Sequence, residues 1–363
     1  MKQLSLLLGL LVLLTAPASA QAPSLKVLHE AERAAASTSG SLKDWLRLRE
    51  SELNAGSRVI QTAAGPIEFR KEGTGPAVIC LHGAYGGYDE SSLIGRFLVA
   101  KGFTVIGVSR PGYLRTPLSV GSTPVQQAEA MIALMDSLHL KKAAVYGFSA
   151  GTLTAFQMAV RHPDRIWACV LTGVGALPDD FQPGGTYDQM RAVVGDKAAI
   201  PYLDGVSWFI DTINTADLNL TASIMLRADV LDDTPEAVVY RRIVYVQHHP
   251  EQREFLSAFT RTLTPYSPRQ PGIYNDIKTN LAIDPWQSWI DKGLLKKVTV
   301  PIQVVQSLDD GSGNYAEAQN LIVPNIPHAR LVTVPGAGHF VWLGSATPSW
   351  EAQTVSFLKT YVP

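Results

Sequence analysis

VYGFSAG, residues 145–151, runs a β-rich stretch into a serine and leaves it in small residues. Gly147 and Gly151 stand two positions to either side of Ser149, the pattern G-x-S-x-G. That spacing predicts a strand turning sharply into a helix, with the serine held in a strained backbone conformation and its Oγ exposed above a sheet. Side chains larger than glycine at the flanking positions would collide across so tight a turn. A five-residue match also arises by chance, and a glycine–serine turn is often only a turn. The rest of the chain has to decide between the two.

Outward from this stretch, strand-like and helical segments alternate. PAVICLHG (76–83) reads as a buried strand, SSLIGRFLVAKG (91–102) as a helix stopping at Gly102, and FTVIGVSRPG (103–112) as a strand. A helix over 123–140, the strand KKAAVYG (141–147), a helix over 151–163 and the strand RIWACVLTG (165–173) follow. Strands alternating with helices imply a parallel sheet covered on both faces. The alternation stalls after about residue 177. Residues 178–290 read as an inserted, mainly helical cap, rich in aromatics: Trp208, Phe209, Tyr240, Tyr245, Tyr266, Trp286 and Trp289. The rhythm resumes with VTVPIQVVQS (298–307), a helix-like stretch at 314–323, the strand ARLVTVPG (329–336) and a final helix near 347–361. Ahead of the first buried strand, SRVIQT (57–62) and PIEFRKE (66–72) read as a hairpin. The core is therefore expected over 58–177 and 291–363.

Of the 363 residues, 46% are hydrophobic and 17% charged, an ordinary globular composition. A formal net charge of −1 gives no reason to expect nucleic acid or an anionic membrane surface as a partner. Residues 1–20 are different. Lys2, the apolar run Leu4 to Leu14 and the small residues Ala18-Ser19-Ala20 read as a signal peptide cut after Ala20, sending the chain to the periplasm or outside the cell. The apolar run is too short to span about 30 Å of hydrocarbon, so no stable membrane insertion is expected. Residues 21–57 read as an N-terminal helical extension, with Ser41 capping a helix that holds Asp44 at its third position. Cys80 and Cys169 sit in apolar strand-like runs and read as buried free thiols.

A serine hydroxyl needs a base within hydrogen-bond reach, and the base needs an orienting partner. In a parallel sheet the loops after the strands converge on one edge, so candidates should follow strands. His339, in GAGHF (336–340), follows one strand and can take the Ser149 proton and return it to the leaving group. Asp310, after PIQVVQSLD (301–309), can accept from the other ring nitrogen; its neighbour Asp309 competes, and Asp310 is favoured. Ser149, Asp310 and His339 occur in the chain order of the hydrolase sheet, unlike the orders of the two well-known proteases. Backbone N–H donors for an oxyanion are expected at Ala150, at a helix start, and at Ala84 in the loop HGAYGG (82–87), with Tyr85 as second choice. Tyr85 is also a candidate substrate contact. His82, His162, His248 and His249 read as structural or exposed. The chemistry calls for no metal and no organic cofactor.

LHGAYGG, VSRPGYLRT, YGFSAG, QSLDDG and GAGHF, in that order, resemble the α/β-hydrolase superfamily. The likeness spans about 58–363 outside the insert. It implies an α/β fold with a mostly parallel, eight-stranded sheet, helices on both faces and an inserted helical cap. It also implies a Ser–Asp–His site, carried over to Ser149, Asp310 and His339. There are two departures. Ser109 stands where an acid often precedes R-P-G, and Ser307 stands where a glycine usually lies three residues before the acid. Haloalkane dehalogenases and epoxide hydrolases of this fold use aspartate at the elbow, so Ser149 points instead to acyl transfer to water. The expectation is an exported serine esterase acting on small-molecule esters. Amidase or aminopeptidase activity, carbon–carbon bond hydrolysis and cofactor-free haloperoxidase chemistry share the layout, and a non-catalytic binding protein on the same scaffold is an alternative of another class. An aminopeptidase would need an acid in the cap for the ammonium; Asp179, Asp180, Asp204 and Asp284 are available.

Overall fold

The computed structural model describes residues 41–175, 188, 191–192, 194–281 and 284–363. The signal-peptide reading of residues 1–20 and the first half of the extension lie outside the described residues. Helix α1 (Leu42–Ala55) comes first, with Ser41 Oγ accepting from Asp44 N at 3.3 Å, the cap its sequence predicts. Strands β1 (Arg58–Thr62) and β2 (Gly65–Glu72) form the expected antiparallel hairpin. Next come β3 (Ala77–Leu81), α2 (Tyr88–Val99), β4 (Thr104–Val108), α3 (Pro124–Ser137), β5 (Ala143–Phe148), α4 (Gly151–Arg161) and β6 (Ile166–Thr172). The insert contributes α5 (Asp196–Ala216), α6 (Leu218–Ala228), α7 (Glu236–His248), α8 (Pro250–Thr262) and α9 (Gln270–Asn275). Helix α10 (Pro285–Asp291), β7 (Ile302–Ser307), β8 (Arg330–Val334) and α11 (Thr347–Tyr361) complete the chain.

The strands form one eight-stranded sheet in the order β1-β2-β4-β3-β5-β6-β7-β8. Only β1–β2 and β2–β4 are antiparallel; the rest of the sheet is parallel. Strands β3 to β7 are buried along their whole length, which is why they read as unbroken apolar runs rather than as alternating ones. Apolar clusters cover both faces, with α3 and α4 on one and α2 and α11 on the other. The chain steps outward from β3 to β4, then back past β3 to β5. Loops after β3 and β5 diverge at that reversal, which opens a crevice at the carboxyl ends of the strands. Cys80 and Cys169 are buried and unpaired with each other, and burial pushes both thiols up.

Three expectations change. Helix α2 starts at Tyr88 rather than Ser91, so Asp89 and Glu90 lie in its first turn, where acidic side chains favour the positive helix end. Residues 315–325 form three short helical pieces, one of them a π turn, instead of one helix. The insert's packing also ends before 290. Trp286 meets Phe156 of α4 edge to face and Trp289 stacks on it, with ring centroids 5.2 and 5.0 Å away, so α10 belongs to the sheet's apolar layer. The physical reason is that a tryptophan-rich helix adjoining β7 finds its nearest apolar surface on α4.

The insert is fastened to the sheet by buried polar bonds. Arg110, after β4, pairs with Asp276 at 2.5 Å, and Arg269 pairs with Asp89 at 2.7 Å. From α1, Trp45 Nε1 donates to Asp211 of α5 at 2.7 Å, and Arg49 donates to the carbonyls of Arg261 and Thr264. Among the described residues, no helix is long and apolar enough to cross a membrane.

Candidate active site

Strand β5 ends at Phe148, and Ser149 turns into the left-handed region at φ +50°. A non-glycine residue there stores on the order of 1–3 kcal/mol of strain. Its surroundings hold it: Ser149 N donates to Thr172 O at 2.8 Å, and Ser149 O accepts from Thr152 N at 2.9 Å and Thr152 Oγ1 at 2.6 Å. A Cβ on Gly147 would lie 2.7 Å from Gly151 O, and one on Gly151 would lie 2.5 Å from the carbonyl oxygens of Leu81 and His82. The two glycines are therefore required by close approach of backbone, not by loop flexibility.

His339 follows β8 and Asp310 follows β7, and the two meet. His339 Nδ1 and Asp310 Oδ1 are 2.8 Å apart and buried. Oδ1 also accepts from Ser312 N (2.9 Å) and Gly313 N (2.7 Å), while Oδ2 accepts from Gln306 Nε2 (2.9 Å). Burial alone would push the Asp310 carboxyl up, but the charge of His339 and these bonds outweigh it and hold the group below its ordinary range. Burial likewise pushes His339 down, and the Asp310 carboxylate, helped by Asp229 and Glu90, carries the imidazole above its ordinary 6.5. Asp309 turns elsewhere: its Oδ1 accepts from Ser307 Oγ at 2.7 Å and from Ala337 N at 3.2 Å. The His339 ring lies against Phe148, centroids 4.8 Å apart, beside the elbow.

Ser149 and His339 line one cavity of about 270 Å³, together with Ala84, Tyr85 and Glu90. Among the described residues no hydrogen bond joins Ser149 Oγ to the imidazole, a separation common in unliganded sites that tighten around substrate. The roof is apolar and comes from the insert: Leu203, Val206 and Ile210 of α5, Met225 of α6 and Phe259 of α8. Of the insert's seven aromatics named from sequence, Tyr266 alone lines this cavity among the described residues; Tyr240 is exposed and Tyr245 stacks on His249. Ala150 sits at the start of α4, where helix N–H groups favour negative charge. A larger open cleft of about 950 Å³ lies outside, between α7 and the loops after β7 and β8, and neither Ser149 nor His339 lines it.

The loop after β3 is braced from below. His82 Nε2 accepts from Arg110 N at 3.0 Å, and burial keeps its ring neutral, the structural role expected of it. Arg110 donates to the carbonyls of His82 (2.9 Å) and Gly83 (3.0 Å). Glu90 Oε1 accepts from Gly83 N at 2.8 Å, and burial pushes its carboxyl up to about 8. Where an acid often precedes R-P-G, Ser109 Oγ instead donates to Glu68 of β2 at 2.8 Å, so the carboxylate arrives from another strand.

A family model described as alpha/beta hydrolase fold matches residues 76–345. The chain belongs to this family. An uncharacterized hydrolase, YcgS, of Bacillus subtilis (strain 168) is 23% identical over 298 residues, 82% of this chain and 96% of that one. A 2-hydroxy-6-oxo-6-phenylhexa-2,4-dienoate hydrolase of Comamonas testosteroni is 34% identical over 117 residues, 31% of this chain and 41% of that one. The solved structure of an alpha/beta hydrolase fold protein from Nakamurella multipartita superposes with a TM-score of 0.70 at 25% identity, covering 84% of this chain and 99% of that one.

Sequence reasoning did not find four residues around this hydrolase's site. Gln306 is the residue before Ser307 on β7 and reads there as an ordinary strand residue. Glu90 falls just ahead of the helix expected from Ser91, where no motif marks it. Asp229 and Arg242 lie in the insert, where no motif marks them, and both touch the His339 loop. No local signal could have tied the last two to the site, because their partners in the His339 loop are about a hundred residues away.

Proposed function

We propose that this protein is a serine hydrolase that cleaves carboxylic esters of small, mainly apolar molecules through an acyl-serine intermediate. The observation that carries the reading is the strained elbow serine and the Asp310-bonded imidazole opening into one apolar-roofed cavity. In the proposed cycle His339 takes the Ser149 proton as the oxygen attacks the acyl carbon. Asp310 holds the ring's orientation and stabilises the imidazolium. The backbone N–H groups of Ala84 and Ala150 receive the oxyanion. His339 then gives the proton to the departing alcohol, and water repeats the sequence to release the acid.

The small cavity favours short acyl and alcohol groups. An ammonium-terminal peptide finds less support. Asp229 is tied to Arg242, Asp204 accepts from Ser267 N, and Asp284 caps α10; Asp179 and Asp180 lie outside the described residues. A second reading, carbon–carbon bond hydrolysis, rests on the stretch shared with the Comamonas testosteroni hydrolase. The test is a panel of short and long acyl esters, amides, aminoacyl-arylamides and a vinylogous diketone, run on wild type and Ser149→Ala. Short esters are expected to turn over fastest, and a fluorophosphonate to label wild type alone. Full ester turnover by Ser149→Ala would sink the proposal.

A further inference from the structure

We propose that Asp229 and Arg242, an ion pair supplied by the insert, are positioning residues that set the His339 imidazole against Asp310. The inference rests on His339 acting as the base. The pair is bidentate and buried: Arg242 Nη1 to Asp229 Oδ1 is 2.7 Å and Nη2 to Oδ2 is 2.8 Å, with both side chains 2% exposed. Its remaining bonds run to the loop carrying His339. Asp229 Oδ2 accepts from Phe340 N at 3.0 Å, and Asp229 O accepts from His339 N at 2.8 Å. Arg242 donates to Leu343 O at 2.7 Å and to Phe340 O at 3.1 Å. The same segment holds the acid's loop. Asp229 O accepts from Gly311 N, Leu231 N donates to Asp309 O, both at 3.1 Å, and Val230 bridges Asp310 in antiparallel fashion.

Residues 229–231 thus lie between the two loops like a single rung of strand. A segment that only fastened the cap could bond any part of the sheet. Here the bonds go to the two loops that bring base and acid together. Gly338 fits this tightly: at φ +58° a Cβ would stand 2.5 Å from Arg242 Nη1 and 2.7 Å from Asp229 Cγ. A buried ion pair is a weak source of stability but a rigid fork, since guanidinium and carboxylate lock each other in a plane. Asp229 also acts through charge. The groups facing His339 are Asp310 from the β7 loop, Glu90 from α2 and Asp229 from the insert, with Arg242 behind it. The Asp310 and Asp229 carboxylates favour the imidazolium that forms when Ser149 gives up its proton, whereas Glu90, its carboxyl pushed up to about 8, adds to this only where it is ionised.

The test measures kcat and KM against pH with an activated short-chain ester on the full protein, for wild type, Asp229→Asn, Arg242→Lys and Asp229→Asn/Arg242→Gln. Asp229→Asn should lower kcat about 10- to 100-fold with KM changed less than about threefold. Its acidic limb of kcat/KM should move to lower pH, because a carboxylate is lost while the Arg242 charge stays. The double variant should return the limb toward wild type yet keep the low kcat. Arg242→Lys keeps the charge and loses the fork, so it should lower kcat with the limb unmoved. It also stands as the informative variant if Asp229→Asn does not fold. A folded Asp229→Asn with wild-type kcat and limb, or an Arg242→Lys indistinguishable from wild type, overturns the inference. Wild type inactive on every ester would instead overturn the esterase reading, which separates the two failures.

Discussion

Asp309 and Asp310 are neighbours with the same side chain, and both are at least nine-tenths buried, yet only Asp310 reaches His339. Ser307 and Ala337 N occupy Asp309, while Gln306 and two backbone N–H groups aim Asp310 at the ring. Ser307, the departure from the family's usual glycine, thereby helps separate the two roles. Replacing Asp310 by Asn should lower kcat by about 10³- to 10⁴-fold, since an amide no longer fixes the tautomer or stabilises the imidazolium. Asp309→Asn should leave kcat within about tenfold and lower stability by about 1 kcal/mol. Steady-state kinetics and urea unfolding on both variants check this, and similar kcat losses would contradict it. In wild type, kcat/KM should rise with pH along a limb centred above 6.5, because the imidazole must be neutral to take a proton and its pKa is raised. Ser149, His339 and an aspartate at 309 or 310 were legible because each sits at a strand end with its own turn chemistry. Asp229 and Arg242 were not, because the His339 loop they bond lies about a hundred residues further along the chain.

Helix α1 had no assigned role in the sequence, although its cap was readable at Ser41. Its role is to join two parts of the molecule. Trp45 bonds Asp211 on α5, Arg49 reaches the end of α8, and Leu53 O accepts from Tyr88 at the start of α2 at 2.7 Å. The helix therefore fastens insert helices to a core helix. Trp45→Ala should destabilise by about 3–5 kcal/mol, combining a lost buried ring with the lost bond to Asp211 Oδ2, although Arg261 still pairs with Oδ1. Urea unfolding measures it, and an unchanged midpoint would mean the helix only rests on the surface. Elements with strong local signals, such as α3 with its Thr123–Gln126 capping box, fall where their residues predict. Where several weak turns follow one another, as at 315–325, tertiary packing rather than periodicity set the geometry.

At the scale of the whole molecule, the insert is pinned through two ion pairs to the core, Arg110–Asp276 and Arg269–Asp89, and through the bonds of its own Arg242–Asp229 pair to the His339 loop. The first links the insert to the loop after β3, since Arg110 also holds the carbonyls of His82 and Gly83. Asp276→Asn should therefore cost about 3–5 kcal/mol of stability by leaving a buried guanidinium uncompensated. It should also lower kcat as the loop loosens. Chemical unfolding and kinetics together test this, and a stable, fully active variant would show the insert to be independent of the loop. The sequence by itself determined the alternating strands and helices, the elbow at Ser149 and the order of the three candidate residues. Those depend on side-chain period and on local backbone geometry, which neighbours in the chain dictate. Only the tertiary structure decided which aspartate meets the histidine, which insert residues roof the cavity and which clamp the histidine loop. Those outcomes depend on desolvated charges and apolar surfaces brought together from distant positions, and burial of that kind leaves no periodic trace in a chain.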